Sequence, residues 1–217
     1  VIAISSELPE GLAGSEEAFA ERMTQEARAL GLARSNFANA TGLPHPDNRV
    51  TMREMVLFAR HLQTAYPDFY GYYSEPEFEW NKIRQRNRNP LLTLDIGVDG
   101  LVTGFSEEAG YSIVASVKRD GKRLLLAMSG LETDKQRVEE SRRVIEWALK
   151  SFARRTLFKA GEPIAEASVY GGDASRVPLV AGEQVDVFLP VDNSQRLVAR
   201  VVYTWPIRAP VEPDQEV

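Results

Sequence analysis

The chain has 217 residues, 43% hydrophobic and 26% charged, a balance that suits one large or two modest globular domains with a buried core. Its 26 basic and 31 acidic side chains leave a net charge of −5, which argues against a nucleic-acid binder. The absence of cysteine excludes disulfides, thiolate catalysis and cysteine-based zinc sites, two histidines are too few for a histidine-rich metal centre, and no apolar run is long enough to span a membrane.

In chain order, Val1-Ile2-Ala3-Ile4 reads as a strand entered without a basic-then-apolar leader, as though the chain opened within a domain. Ser15 is a helix N-cap, with Glu16 and Glu17 placed where the helix dipole favours anions. Phe19, Met23, Ala27 and Leu30 then recur at spacings of three and four, and Gly31 stops the helix. Asn39-Ala40-Thr41-Gly42-Leu43-Pro44 is turn chemistry. The capping box Thr51-Met52-Arg53-Glu54 opens a second helix that buries Met55, Ala59 and Leu62 and ends before Pro67. Lys82, Arg84, Arg86 and Arg88 alternate, so on a strand they share one face. That stripe fits a solvated edge strand, or a cationic wall beside an anion site, better than a nucleic-acid surface on an acidic chain.

Two apolar runs, Ile113–Val117 and Leu124–Met128, flank Asp120-Gly121, a strong hairpin signal. Thr133 with Gln136 opens a long helix whose core face is Val138, Ile145, Ala148 and Phe152. Texture and charge change near residues 152–160. Residues 157–217 carry five basic and nine acidic side chains and read as all-β, with strands at 165–170, 184–189 and 197–203 separated by the turns Gly171-Gly172-Asp173 and Asp192-Asn193-Ser194.

Generic motif scans return little. There is no G-x-G-x-x-G, Walker A loop, H-E-x-x-H or G-x-S-x-G. Glu107-Glu108 reads as solvated loop charge, and His45 and His61 as surface or satisfied histidines.

The stretch Val98-Asp99-Gly100-Leu101-Val102-Thr103-Gly104, followed by Ala109-Gly110-Tyr111, resembles the Lys-Thr-Gly strand motif of low-molecular-mass penicillin-binding proteins, the D-alanyl-D-alanine carboxypeptidase family. The likeness extends over Ala13–Phe19, Ala40–Pro44, Asn81–Gln85, Asn87-Arg88-Asn89 and Thr133-Asp134 with Arg137, in order, across most of residues 8–155. It implies an α+β, β-lactamase-like penicillin-binding domain over residues 1–155 and a small β-sandwich over 156–217. The implied activity is serine-type carboxypeptidation of peptidoglycan stem peptides ending in D-Ala-D-Ala, through an acyl-enzyme that penicillins also form, with no metal or organic cofactor. The implied partners are those peptides and β-lactam antibiotics, with no nucleic acid. The implied place is the periplasm or the outer face of the bacterial inner membrane, reached by a signal peptide outside this chain, with any peripheral membrane contact made by a segment also outside it.

Residue by residue, the resemblance assigns Thr103 to the substrate carboxylate, Gly104 to close approach of the substrate backbone, and Arg137 to the carboxylate subsite. Arg88 is read either as lining the groove or as pinning its loop, and Ser106 as structural. Three departures stand beside this. Ser-x-x-Lys occurs nowhere, and the family places it well before Ser15. Ser-x-Asn is absent, Ser5 being its expected remnant after the first strand. Val102 occupies the motif-lysine position and supplies no cation. The expectation is an incomplete form of an active enzyme; the alternative is a degenerate relative that binds cell wall or a partner without cutting.

Overall fold

The computed structural model describes residues 2–192, 198–213 and 215–216. The chain divides into two compact units, Val1–Trp147 and Ala148–Val217.

The first unit opens with two helices, α1 (Ile2–Ala13) and α2 (Glu16–Ala29), packed on each other. Residues 2–4 are therefore helical rather than a strand. A short apolar run carries no periodicity that separates the two, and the residues after it extend the helix. Ser15 caps α2 as its sequence foretells, its Oγ accepting from Ala18 N at 3.1 Å. Gly31, at φ +80°, closes it: Gly31 N donates to Arg28 O and Leu32 N to Ala27 O, seating Leu32 at 2% exposure. The inward residues of α2 are Ala20 and Ala27, whereas Leu30, past the last turn, is exposed.

Helix α3 (Met52–Ala65) begins at Thr51, whose Oγ1 accepts from Glu54 N at 3.2 Å. Only half of the expected capping box forms. Glu54 turns its carboxylate away to Arg34 N (2.8 Å) and Ser35 Oγ (2.5 Å), so it is buried and fastens the α2–α3 loop to the helix. The Ser35 hydroxyl, against a smaller opposing effect of burial, holds this carboxyl below its ordinary pKa, helped by Arg34 N and by Arg28. Along α3, Ala59 is buried while Met55 and Leu62 are half-buried. The short α4 (Pro67–Tyr70) follows, with proline in its first turn.

Strands β1 (Glu77–Trp80) and β2 (Ile83–Arg86) form a hairpin whose turn residues Asn81 and Lys82 have φ of +48° and +64°. This breaks the basic stripe. Lys82 is in the turn, Arg88 lies past the strand, and Arg84 and Arg86 stand opposite Glu79 and Glu77 on an exposed ribbon, with Arg84 ion-paired to Glu77. The edge-strand reading holds for Arg84 and Arg86 alone.

Strands β3 (Val98–Ser106), β4 (Gly110–Arg119) and β5 (Lys122–Leu131) make an antiparallel sheet in the order β3-β4-β5. Asp120 and Gly121, at φ +51° and +70°, give the tight β4–β5 turn that an Asp-Gly pair favours. On one face Ala59, Tyr70 and Leu101 form a core with Leu62, Tyr73, Val114 and Leu125. On the other stands α5 (Asp134–Ser151), whose Ser141 Oγ lies 3.9 Å from Met128 Sδ, and Met128 pairs with Ile113 across the sheet. The buried stripe of α5 is Arg137, Ser141 and Ile145, one residue round from the face expected through Val138. Phe152 does not extend the helix; it opens β6 (Phe152–Phe158).

The second unit holds β7 (Pro163–Tyr170), β8 (Arg176–Val180), β9 (Val185–Pro190) and β10 (Ile207–Arg208). Its two small sheets are β6-β9 and β10-β7-β8, β10 running parallel to β7, with Ala167, Ala181 and Ile207 buried. The strands expected at 165–170 and 184–189 are present. Residues 198–203 are not a strand, and Leu197, Asn193 and Ser194 lie outside the described residues. The segment is tethered instead by Tyr203, whose hydroxyl accepts from Ser168 N at 3.1 Å, while Val198 and Val202 are 80% and 81% exposed. Alternating apolar residues make a strand only where a partner edge is in reach.

Candidate functional site

The candidate site is built on β3. Among the described residues this strand pairs on one side only, with β4: Val102 opposite Val114, Thr103 opposite Ile113 and Gly104 opposite Ser112. Its other side pairs with no strand among the described residues, which leaves an edge that an extended chain could join.

Two asparagines fix the segment leading to that edge. Asn87 donates to Tyr73 O and Glu75 O and accepts from Asn89 N. Asn89, 2% exposed, donates to Gly100 O at 3.0 Å and accepts from Leu91 N at 3.1 Å. The pinning lies with the asparagines, which sequence reasoning passed over; their signal was the Asn-x-Asn spacing, one side chain each for the preceding loop and for the strand. Arg88 between them is exposed, and its carbonyl accepts from Thr103 Oγ1 at 3.3 Å. Arg88 therefore meets Thr103 through its main chain.

Gly104 has a reason within the sheet itself. A Cβ there would come 2.8 Å from Ser112 Oγ on the neighbouring strand, so the glycine makes room for its own sheet partner. Val102 is 52% exposed. Ser106 Oγ accepts from Ala109 N at 3.1 Å and holds the turn between β3 and β4, a structural task as foreseen.

Arg137 comes to the same strand from α5. It is 7% exposed, with Nη1 3.4 Å from both Gly104 O and Ser112 O, and Nη2 paired to Asp134. Its guanidinium carbon lies 5.4 Å from the centre of the Tyr111 ring, which packs on Phe105 at 4.4 Å. Its Nε is buried with no partner among the described residues. A guanidinium whose two carbonyl contacts are long keeps donors that can turn to an anion's oxygens. Thr103, Gly104 and Arg137 are thus brought together, with Arg88 alongside through its carbonyl.

Ser5 is not. It lies inside α1, and the strand expected ahead of it does not exist. His45 Nδ1 accepts from Asp47 N within a turn, and His61 meets Tyr66 edge-on. Glu107 and Glu108 are exposed between β3 and β4.

Both parts of the chain resemble known proteins. Residues 3–133 match the D-alanyl-D-alanine carboxypeptidase family (peptidase S11), and residues 152–217 match the penicillin-binding protein 5 C-terminal domain. The chain is 36% identical over 212 residues to the D-alanyl-D-alanine carboxypeptidase DacC of Escherichia coli K12, covering 97% of this chain and 53% of that protein. It is 34% identical over 198 residues to DacA of Haemophilus influenzae, covering 90% and 50%. The solved structure of penicillin-binding protein 5 from Haemophilus influenzae superposes with a TM-score of 0.80 at 33% identity, over 96% of this chain and 61% of that one. Penicillin-binding protein D2 from Listeria monocytogenes, solved in a cefotaxime-bound form, superposes with a TM-score of 0.61 at 27% identity, over 67% and 60%. The chain spans about half the length of the curated relatives it matches. An α+β domain carrying an open Val-Thr-Gly edge, followed by a β-sandwich-type domain, is thus a member of the D-alanyl-D-alanine carboxypeptidase family.

Proposed function

We propose that this chain carries the substrate-binding edge of a serine-type D-Ala-D-Ala carboxypeptidase that trims peptidoglycan stem peptides in the bacterial periplasm and is sensitive to β-lactams. The observation that carries this reading is Arg137, buried against the carbonyls of Gly104 on β3, the residue after Thr103, and of Ser112 on β4, with its Nε unused. An extended peptide added along β3 would gain main-chain hydrogen bonds. Its terminal carboxylate, at the Thr103–Gly104 end, would meet the hydroxyl and the guanidinium. Each charge-assisted bond of that kind is worth about 1.5–3 kcal/mol. The acyl transfer itself calls for a nucleophile that these 217 residues do not supply as Ser-x-x-Lys.

The test is amide chemical-shift mapping of the chain with a peptide ending in D-Ala-D-Ala. Shifts centred on Val102–Gly104 and Arg137, much reduced when the peptide is amidated, are expected. Equal response to both peptides, or none, would sink the reading.

One observation favours a second reading. Val102 presents an exposed apolar side chain where the family motif has lysine, as a module that binds without cutting would allow. Intact-mass measurement on the whole protein after incubation with a penicillin separates the two: a covalent adduct belongs to the enzyme, its absence to the binding module.

A further inference from the structure

Strand β3 breaks its pairing with β4 between Val98 and Gly100, and the residue in the break is Asp99. A bulge of this kind frees one residue from the ladder and re-aims its side chain. The carboxylate of Asp99 reaches Arg123 Nη1, which belongs to β5, the far strand of the sheet. The arginine therefore spans β4 to hold β3. Its Nη1 also donates to Ser116 Oγ on β4 at 2.7 Å, and Ser116 is fully buried. Gln63 on α3, its amide oxygen turned to the guanidinium, accepts from Nε at 2.8 Å and Nη2 at 2.9 Å. One guanidinium thus has partners on three elements, a use of its rigid fork of donors that a lysine could not make.

Packing closes the same spot from above. A Cβ on Gly100 would lie 3.3 Å from both Tyr70 Oη and Tyr73 Cβ, so the chain passes directly under these rings. The Tyr70 hydroxyl is buried beside Ser116. Burial, chiefly, raises that phenol above its ordinary pKa, so it stays a neutral wall of the hub.

We infer that Asp99, Arg123 and Gln63 are positioning residues of the β3 edge: they lock the bulge, and so fix which face of the strand Thr103 and Val102 occupy. This rests on the reading of β3 as the ligand-binding edge. The ladder beyond the bulge repeats every two residues, so a slip of one residue would exchange the faces of Val102 and Thr103. Backbone hydrogen bonds alone do not forbid that slip, because the slipped strand makes the same number. The side-chain lock forbids it. Thr103 lies only four residues past Asp99, so error at the bulge passes directly to the hydroxyl that meets the ligand.

Hydrogen exchange on the full chain tests this, with the isosteric Asp99→Asn and the charge-keeping Arg123→Lys as variants. Each is expected to speed exchange of the β3 amides bonded to β4 about tenfold, the loss of one charged hydrogen bond, while β4–β5 amides keep their protection. The nuclear Overhauser contact between Thr103 and Ile113 weakens in both variants, and a Val102–Ile113 contact appears. Unchanged β3 exchange, or equal loss in all three strands, overturns the proposal. Binding of a D-Ala-D-Ala peptide is measured alongside and is expected to weaken by a similar factor. If the parent chain binds no such peptide, the functional reading fails, while the exchange pattern still decides the lock.

Discussion

At the scale of single residues, Arg137 shows how a charged side chain comes to be buried. A guanidinium can lie inside when carbonyls, an aromatic face and a carboxylate surround it, and Gly104, Ser112, Tyr111 and Asp134 do so here. Truncation to alanine is therefore expected to lower stability by about 1–3 kcal/mol as well as to weaken binding. Arg137→Met, which keeps most of the volume, is the sharper variant: it should lose affinity for a peptide with a free carboxylate and leave an amidated peptide nearly indifferent, as titration calorimetry would read. If both peptides weaken equally, Arg137 only supports the strand. Val102 allows the complementary gain. Because it is 52% exposed, Val102→Lys should change stability by no more than about 0.5 kcal/mol, measured by urea denaturation, while strengthening carboxylate binding. An unchanged affinity would mean that Arg137 already neutralises the ligand.

Among the elements, those set by local chemistry were legible and those set by partners were not. Ser15, Thr51 and Thr133 each cap the helix expected of them, and Asp120-Gly121 makes its turn, because these signals act over a few residues. Glu54 shows where that logic ends. Its spacing from Thr51 promised a reciprocal cap, but a loop folded onto α3 offered Ser35 and Arg34, and tertiary contact prevailed. The same held for the rotated face of α5. At the site, the order of short motifs led to Thr103, Gly104 and Arg137, whereas the pinning asparagines Asn87 and Asn89 have geometry that only the folded chain displays. Glu54 also predicts a pH response. Its pKa is lowered in the folded state, so its contribution is full above the unfolded value and is lost as pH falls through the folded one. Thermal midpoints from pH 7 to pH 3 should fall less steeply for Glu54→Gln than for the parent; parallel curves would remove Glu54 from the acid response.

Over the whole molecule, the two units carry separate acid sensitivities. In the second unit Asp186 accepts from Gln184 and Thr156 and pairs with Arg154, which holds its carboxyl down to about 2. Its contribution is complete above the unfolded value of about 3.9 and disappears as pH falls from there toward 2. Asp186→Asn should flatten that part of the acid unfolding curve followed by a probe in β6 or β9, and an unaltered curve would count against it. No helix among the described residues is long and apolar enough to cross a membrane. The open side of β3 has a further consequence. Leu101 to Phe105 bears no charge, and the one charge at its foot, Asp99, is neutralised by Arg123. A rim so bare welcomes any extended backbone, whatever its sequence, and strands of this kind ordinarily rely on lysines or prolines to turn strangers away. On the proposed reading, discrimination falls to the end of the guest rather than its length: a chain that stops in a carboxylate beside Thr103 and Arg137 would gain more than the common ladder. In a concentrated solution the rival most often encountered would be another copy of the same rim, so apparent affinity for a short peptide should decline as protein concentration climbs.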